Sequence, residues 1–396
     1  MKMIFLGLLF CEESLQRAIQ KTKCGIQYAP HMFQKNLLEG FREMDDVDLH
    51  IINVPPTGSF PMNNKELFSK SYQWGKQAKQ IGFLNVPFLK HNEQRSKILH
   101  DCRKIIKNTD ETVHVLIYSP YDPFLYVCNR LKKEFRNVKC SMILTDPIPG
   151  RGDLARFMTE RAVKKGNAIV ESCKCFDSFV VLTKYLAESV CAGERPWTIV
   201  ECVCNGNQPA ATVSETGKNT VLYTGTLEKE YGILDMAKAF TLLDNAQLRI
   251  YGRGDAEEEL KALAAESDNV KFLGFADQAT IEQERNACDF LINPRRPTGT
   301  FTKYSFPSKT AEYMVSGKPV IMYKLEGVPD EYDDYLNYLS ETEPEKIAGQ
   351  LQELFSQDYK LLLEKARQGR EFMLENKSPK AQSTKIWKLL ARTMVH

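Results

Sequence analysis

Between Asn293 and Lys324 the sequence reads NPRRPTGTFTKYSFPSKTAEYMVSGKPVIMYK, which sets Arg295, Arg296 and Lys303 on a loop ahead of a short helical pattern. Pro307 keeps Phe306 out of the α region and serine is a favoured N-cap, so the helix is expected to begin near Ser308. Gly317 followed by Lys318 and Pro319 is a strong stop signal. Glu312 then falls one turn inside the helix on the face of Ser308. A carboxylate there can accept two hydrogen bonds from vicinal hydroxyls such as those of a ribose. The helix N-terminus and Lys309 offer positive potential to a diphosphate. An ordinary surface helix with an incidental glutamate is the competing explanation, and the fit of glycine, proline, lysine and glutamate to one pocket weighs against it. On this reading Glu312→Ala weakens nucleotide binding by about 1.5–3 kcal/mol. Folding is expected to survive, alanine being the better helix former.

Two glycine-bearing strand ends could serve the same ligand. In YTGTLEKEYGI (Tyr223–Ile233) a strand closes at Gly225, whose missing side chain lets backbone N–H groups approach a phosphate. IYGRGDAEEEL (Ile250–Leu260) repeats the device with Arg253, Gly254 and Asp255 before an acidic first helical turn, although such acids also simply complement a helix dipole. Gly274 and Phe275 end a further strand, where backbone groups can meet a base edge. Metal chemistry finds less support. The pairs Cys173/Cys175 and Cys202/Cys204 are C-x-C, not the C-x2-C of zinc sites, and TIVECVCN reads as a strand carrying its cysteines as small apolar groups. Asp46 and Asp48 of DVD precede a strand and read as a solvated turn.

What must position these residues is a recurring alternation. Short apolar, β-rich runs (MIFLGLLF, DLHIINV, VHVLIYS, CSMILT and SFVVLT, then TVLYTG, QLRIYG, VKFLG, DFLIN and PVIMY) are separated by helical patterns. Continuous apolarity indicates strands buried on both faces, hence parallel sheets and an α/β class with two doubly wound domains. A length of 396 residues and an apolar fraction of 43% suit two cores. The polar, small-residue stretch 205–219 reads as a linker between a first domain, 1–204, and a second, 220–375. Residues 376–396 read as a terminal helix able to return to the first domain. Residues 54–100 exceed an ordinary βα connection, and their aromatics point to a substrate-facing loop. The balance of 53 basic against 51 acidic residues, net +2, argues against a dedicated nucleic-acid binder while allowing a basic pocket. MKMIFLGLLF has too short an apolar run for a leader, and Phe10 stands where cleavage needs a small residue, so a buried first strand is expected. No run approaches the ~18–20 apolar residues that span a bilayer, and no cysteine framework of the secreted kind is evident. A cytoplasmic protein is expected, with room for peripheral attachment at the inner face of the membrane.

SFPSKTAEYMVSGKPVI resembles the donor-site segment of family 4 retaining glycosyltransferases of the GT-B fold, and VLYTGTL, LRIYGRGD, VKFLGF, NACDFLINP and LEGVPDEY occur in that family's order. The similarity is close over 220–335. It is looser over KCGIQYAPHMFQKNLLEGF (Lys23–Phe41), which resembles the first-domain glycine loop and helix and would put Gly25 and Tyr28 on the acceptor side. The NPR…SFPSK wording is similar to the branch that builds bacterial surface polysaccharides. The resemblance implies two facing Rossmann-like domains. The second would hold a nucleotide diphosphate sugar, UDP-linked by preference, and the first a saccharide or lipid-linked acceptor, with no cofactor and no obligatory metal. It assigns Glu312 to the ribose, the backbone near Phe275 to the base, and Gly225, Thr226, Arg253, Gly254, Ser308 and Lys309 to the rest of the donor site. Asp146 stands where the family often has a histidine near the transferred sugar.

Three departures qualify that assignment. Thr226 and Tyr231 occupy the places of a phosphate-binding Arg and Lys, and Tyr304 replaces the first acid of the family's E-x7-E pair. Arg295, Arg296, Lys303 and Lys309 are the cations left to stabilise a leaving diphosphate, so Lys309 and Arg295 join Asp146 as the expected catalytic residues. The activity expected is transfer of a hexose from a nucleotide diphosphate sugar to a glycan acceptor. A catalytically inactive paralogue acting as binding partner or scaffold, and a nucleotide-sugar epimerase, are the alternatives.

Overall fold

In the computed structural model, which describes residues 1–23, 26–150, 158–190, 195–206, 219–299 and 301–393, the continuous apolar runs form the strands of two separate sheets. The chain divides into one unit of Met1–Val203 with Pro379–His396, and another of Cys204–Ser378. Most of the expected linker, 207–218, lies outside the described residues.

In the first unit, β1 (Lys2–Gly7) leads through α1 (Glu12–Lys21) and α2 (Tyr28–Arg42) to β2 (Asp48–Asn53). The expected loop 54–100 is instead built of β3 (Phe68–Ser69), β4 (Tyr72–Gln73), β5 (Ala78–Gln80), β6 (Phe83–Leu84) and the start of α3 (Leu89–Ile106). β5 extends the sheet in parallel beside β2, and β4 closes that edge antiparallel. The β5 sequence, AKQ, is too polar to read as a buried strand, yet Ala78 and Gln80 are buried. There follow β7 (Val113–Tyr118), α4 (Asp122–Glu134), β8 (Val138–Leu144), α5 (Glu160–Cys173), β9 (Ser178–Val181), α6 (Lys184–Val190) and β10 (Trp197–Ile199). The eight-stranded order is β10-β9-β8-β7-β1-β2-β5-β4. β1 and β7 are buried almost end to end because helices cover both faces.

The strand expected through Cys204 ends at Ile199. Beyond it the backbone leaves the sheet, and Cys202 and Cys204 are buried in an irregular segment, with the Cys204 N–H donating to Lys377 O at 2.7 Å. Among the described residues no cluster of three His, Cys, Asp or Glu side chains could hold a metal ion.

The second unit contains β11 (Asn219–Thr226), α7 (Ile233–Thr241), β12 (Ala246–Arg253), α8 (Glu257–Glu266), β13 (Val270–Gly274), α9 (Gln278–Ala287), β14 (Phe290–Asn293), α10 (Ser308–Ser316), β15 (Val320–Tyr323), β16 (Asn337–Leu339), α11 (Pro344–Phe355) and α12 (Tyr359–Asn376). Its six strands are all parallel, in the order β13-β12-β11-β14-β15-β16. From α12 the chain returns to the first unit as α13 (Pro379–Arg392), which packs on α2. Ile386, Leu389 and Leu390 enter the core beside Leu37 and Phe41, and Ser383 Oγ donates to Leu37 O at 2.9 Å. Gly40 permits this approach, since a Cβ there would collide with the Pro379 backbone. Among the described residues no helix is long and apolar enough to cross a membrane.

In an open parallel sheet a ligand crevice forms beyond the carboxyl ends of the strands where strand order reverses. That point lies between β11 and β14 in the second unit, and between β1 and β7 in the first.

Candidate functional site

At the β11/β14 switch, α10 is fastened to both strands. Tyr313 is fully buried, accepts the Thr224 N–H at 2.9 Å and donates back to Thr224 O at 3.1 Å. Asn293, the last residue of β14, donates to Thr310 Oγ1 at 3.1 Å. The helix runs from Ser308 and ends at Gly317 in the left-handed region, φ 73°. Its cap differs from expectation. Pro307, extended at φ −73° and ψ 105°, takes the N-cap position, and Ser308 becomes the first helical residue with no capping hydrogen bond from a side chain.

Glu312 is also not the open carboxylate expected. One oxygen accepts from Arg285 Nη2 at 2.5 Å, and the other from Lys309 Nζ at 2.8 Å. Burial alone would raise the Glu312 pKa, but Lys309 and Arg285 outweigh it and hold the group below the ordinary carboxylate range. The Arg285 side chain is only 4% exposed, against 25% for Glu312. Arg285 is therefore the buried strut that fixes the Glu312 carboxylate, and its source is the last turn of α9.

The strand ends meet closely. Gly225 and Gly252 stand opposite one another in the β11–β12 ladder, and a Cβ at Gly252 would overlap the Gly225 carbonyl. The Gly254 N–H, expected to face a phosphate, donates to Glu257 Oε1 at 3.0 Å, so the acidic turn closes on its own loop. Thr226 is exposed at the end of β11. Arg253 stacks on Phe275 with its guanidinium carbon 4.6 Å from the ring centroid, and Phe275 is 69% exposed.

The two neighbouring arginines have different partners. Arg296 pairs with Asp235 on α7 and donates to Thr342 O at 2.9 Å. Arg295 lies over the rings of Tyr231, at 5.1 Å, and Phe301, at 5.7 Å. Lys303 lies over the ring of Tyr304, which is buried.

The first unit holds a cavity of about 370 Å³ at its own switch point, bordered by Phe10 after β1, Tyr118 at the end of β7 and Ser119 after it, Asp146 after β8, and Gln27 and His31 at the start of α2. The loop after β1 is held by amide side chains: Gln34 exchanges two hydrogen bonds with Leu8, and Asn53 two with Leu9. Ser119 has φ 69°, an uncommon conformation for a non-glycine residue that recurs where function outweighs strain. Phe10 N–H approaches His31 Nδ1 at 3.4 Å, which leaves Nε2 to carry the proton in the neutral ring. Burial, with Lys35 adding to it, lowers the His31 pKa and favours that neutral form. Asp146 accepts from Thr145 Oγ1 at 2.9 Å. Tyr28 is 53% exposed and does not border the cavity; Gly25 and residues 151–157 lie outside the described residues.

Residues 218–357 match the family model described as glycosyl transferases group 1. That match falls within the second unit. Among solved structures, sucrose-phosphate synthase from Thermosynechococcus elongatus aligns with a TM-score of 0.65 at 13% identity, covering 100% of this chain and 99% of that one. Anabaena Alr3699/HepE in complex with UDP gives 0.64 at 14% identity, with 99% and 100% covered. The trehalose 6-phosphate synthase of Burkholderia multivorans gives 0.64 at 8% identity, with 100% and 97% covered. At such identities the likeness establishes the fold, which is GT-B. No curated protein matches the sequence.

Within the second unit the structure brings Glu312 and Lys309 together, and Arg253 and Phe275 together. Arg285, Tyr231 as a stacking partner and, in the first unit, His31 escaped the sequence reading. The clue to His31 was its spacing: Gln27, Pro30 and His31 recur on one helical face. Arg285, inside QERNACDF, carried no local signal.

Proposed function

We propose that the protein is a retaining glycosyltransferase that moves a hexose from a nucleotide diphosphate sugar, UDP-linked by preference, to a hydroxyl of a saccharide or lipid-linked glycan in surface-polysaccharide assembly. The observation that carries this reading is the group 1 match over 218–357, the residues that hold α10, Glu312 and the basic loop at the strand-order switch. The donor's ribose faces Glu312 and its base lies at Arg253 and Phe275. The anomeric C–O bond breaks, the diphosphate keeps the electron pair, and the acceptor hydroxyl attacks from the same face. Its proton passes to a donor phosphate oxygen. Arg295, Lys309 and the N-terminus of α10 stabilise the departing charge, so no divalent metal is required. The first-unit cavity receives the acceptor, with Asp146 as hydroxyl partner and His31 as a neutral donor. Its mix of apolar walls and a few polar groups, and its volume, suit a small-molecule site.

Purified protein incubated in chelator with a panel of nucleotide sugars is expected to release nucleotide from one of them, faster with acceptor present. Binding of nucleotide with no release from any donor would reject the enzymatic reading in favour of an inactive paralogue, and release only after adding manganese would reject metal independence.

A further inference from the structure

We propose that Tyr231 is a positioning residue whose ring holds the Arg295 guanidinium as the phosphate-facing cation of the donor site, a charge carried in sequence from position 231 to position 295. The proposal rests on the glycosyltransferase reading above and names the device that binds the diphosphate. The other cations of the basic segment have defined partners, Lys303 lying over the Tyr304 ring. Lys309 is engaged by the Glu312 carboxylate, and Arg296 by that of Asp235. Arg295 has no carboxylate partner among the described residues; its contacts are the Tyr231 and Phe301 rings. An aromatic ring meets the flat face of a guanidinium and leaves the N–H donors on its edge available, which is the geometry a diphosphate needs. A cation already compensated by a carboxylate offers less to an incoming anion than one resting on π-faces.

Backbone packing fixes the pair in place. Tyr231 closes a short 3-10 turn, and Gly232 follows in the left-handed region at φ 84°. A Cβ at Gly232 would lie 2.9 Å from both Pro294 O and Arg296 Nε, so the turn after β11 and the loop after β14 touch at backbone level across the switch point. Arg296, bound to Asp235 and Thr342, rivets its loop to α7 and α11's approach, and so sets where Arg295 emerges. The two loops therefore place the Arg295 charge beside residue 231, where the resemblance expects a lysine to supply it.

Titration calorimetry with UDP, GDP and UMP on the full chain tests this. Arg295→Ala and Tyr231→Leu are each expected to weaken binding of the nucleoside diphosphate by about tenfold or more, and that of UMP by less, because the lost contact is to the second phosphate. Tyr231→Phe restores what Tyr231→Leu loses, since the ring and not the hydroxyl does the holding. Arg295→Ala combined with Tyr231→Lys recovers diphosphate affinity by returning the charge to its other position. Parental affinity in both Arg295→Ala and Tyr231→Leu overturns the proposal while leaving the donor site standing, and so does an equal loss for UMP and UDP. Absence of binding by the parent to either diphosphate overturns the donor-site reading, and this inference with it.

Discussion

Glu312 shows how one contact changes what a substitution should do. Considered as a lone helical acid, it could be replaced by alanine without harm to the fold. Bound to Arg285, it cannot, because the arginine is almost wholly buried and would keep its charge without its carboxylate partner. Glu312→Ala is therefore expected to lower stability of the second unit by about 3 kcal/mol, the lower end for breaking a buried pair, since Glu312 itself keeps some contact with water. The double variant Arg285→Met with Glu312→Gln should regain much of that loss but not the nucleotide affinity. Thermal melting of the two proteins checks this, and an unshifted melt for Glu312→Ala would show that Arg285 finds adequate solvation elsewhere. The residue types in the α10 segment were legible because proline, glycine and serine act on their immediate neighbours. The Arg285 strut was not, since it joins positions 27 apart through a fold that no local pattern encodes.

At the scale of elements, β7 carries an unusual passenger. His114 is 1% exposed in the middle of the first sheet, and neither ring nitrogen has a hydrogen-bond partner among the described residues. Burial lowers its pKa from 6.5 to about 4, with Asp177 opposing and Lys139 and the N-terminal amine assisting. An unfolded chain thus takes up this proton before the folded one does. The first unit's stability from this group is complete above pH 6.5 and declines as pH falls toward 4, by about 3 kcal/mol in all. His114→Phe is expected to flatten the pH dependence of urea midpoints across that interval, and an identical slope in the variant would assign the acid sensitivity to other groups. The strand itself was readable despite the histidine, because VHVLIYS keeps its apolar run on either side. β5 was not: AKQ gains its place from pairing with β2, and Gln80 is accommodated by the carbonyl of Lys70 at 3.1 Å. The expected cap at Ser308 failed for a related reason, as Pro307 was already extended and could take the position itself.

For the whole molecule, α13 is the element that makes the first unit discontinuous. Ending the chain at Ser378 would strip Ile386, Leu389 and Leu390 from the core, each contributing about 1.5–3 kcal/mol by burial. That is a large share of the roughly 5–15 kcal/mol that holds a domain together. The truncated chain is expected to melt in two steps, with the first unit's transition lowered or lost and the second unit's kept, as limited proteolysis followed through the melt would show. A single transition at the parental temperature would mean that α2 tolerates exposure. The return of α13 also governs the order of events during synthesis. The second unit is contiguous and can close as soon as Ser378 is made, whereas the first has to wait through Cys204–Ser378, on the order of 10–30 s at ribosomal speed. During that interval the apolar face of α2 stands uncovered on a nascent chain, so the half of the protein made first is the half finished last, and the half that a chaperone has most reason to hold.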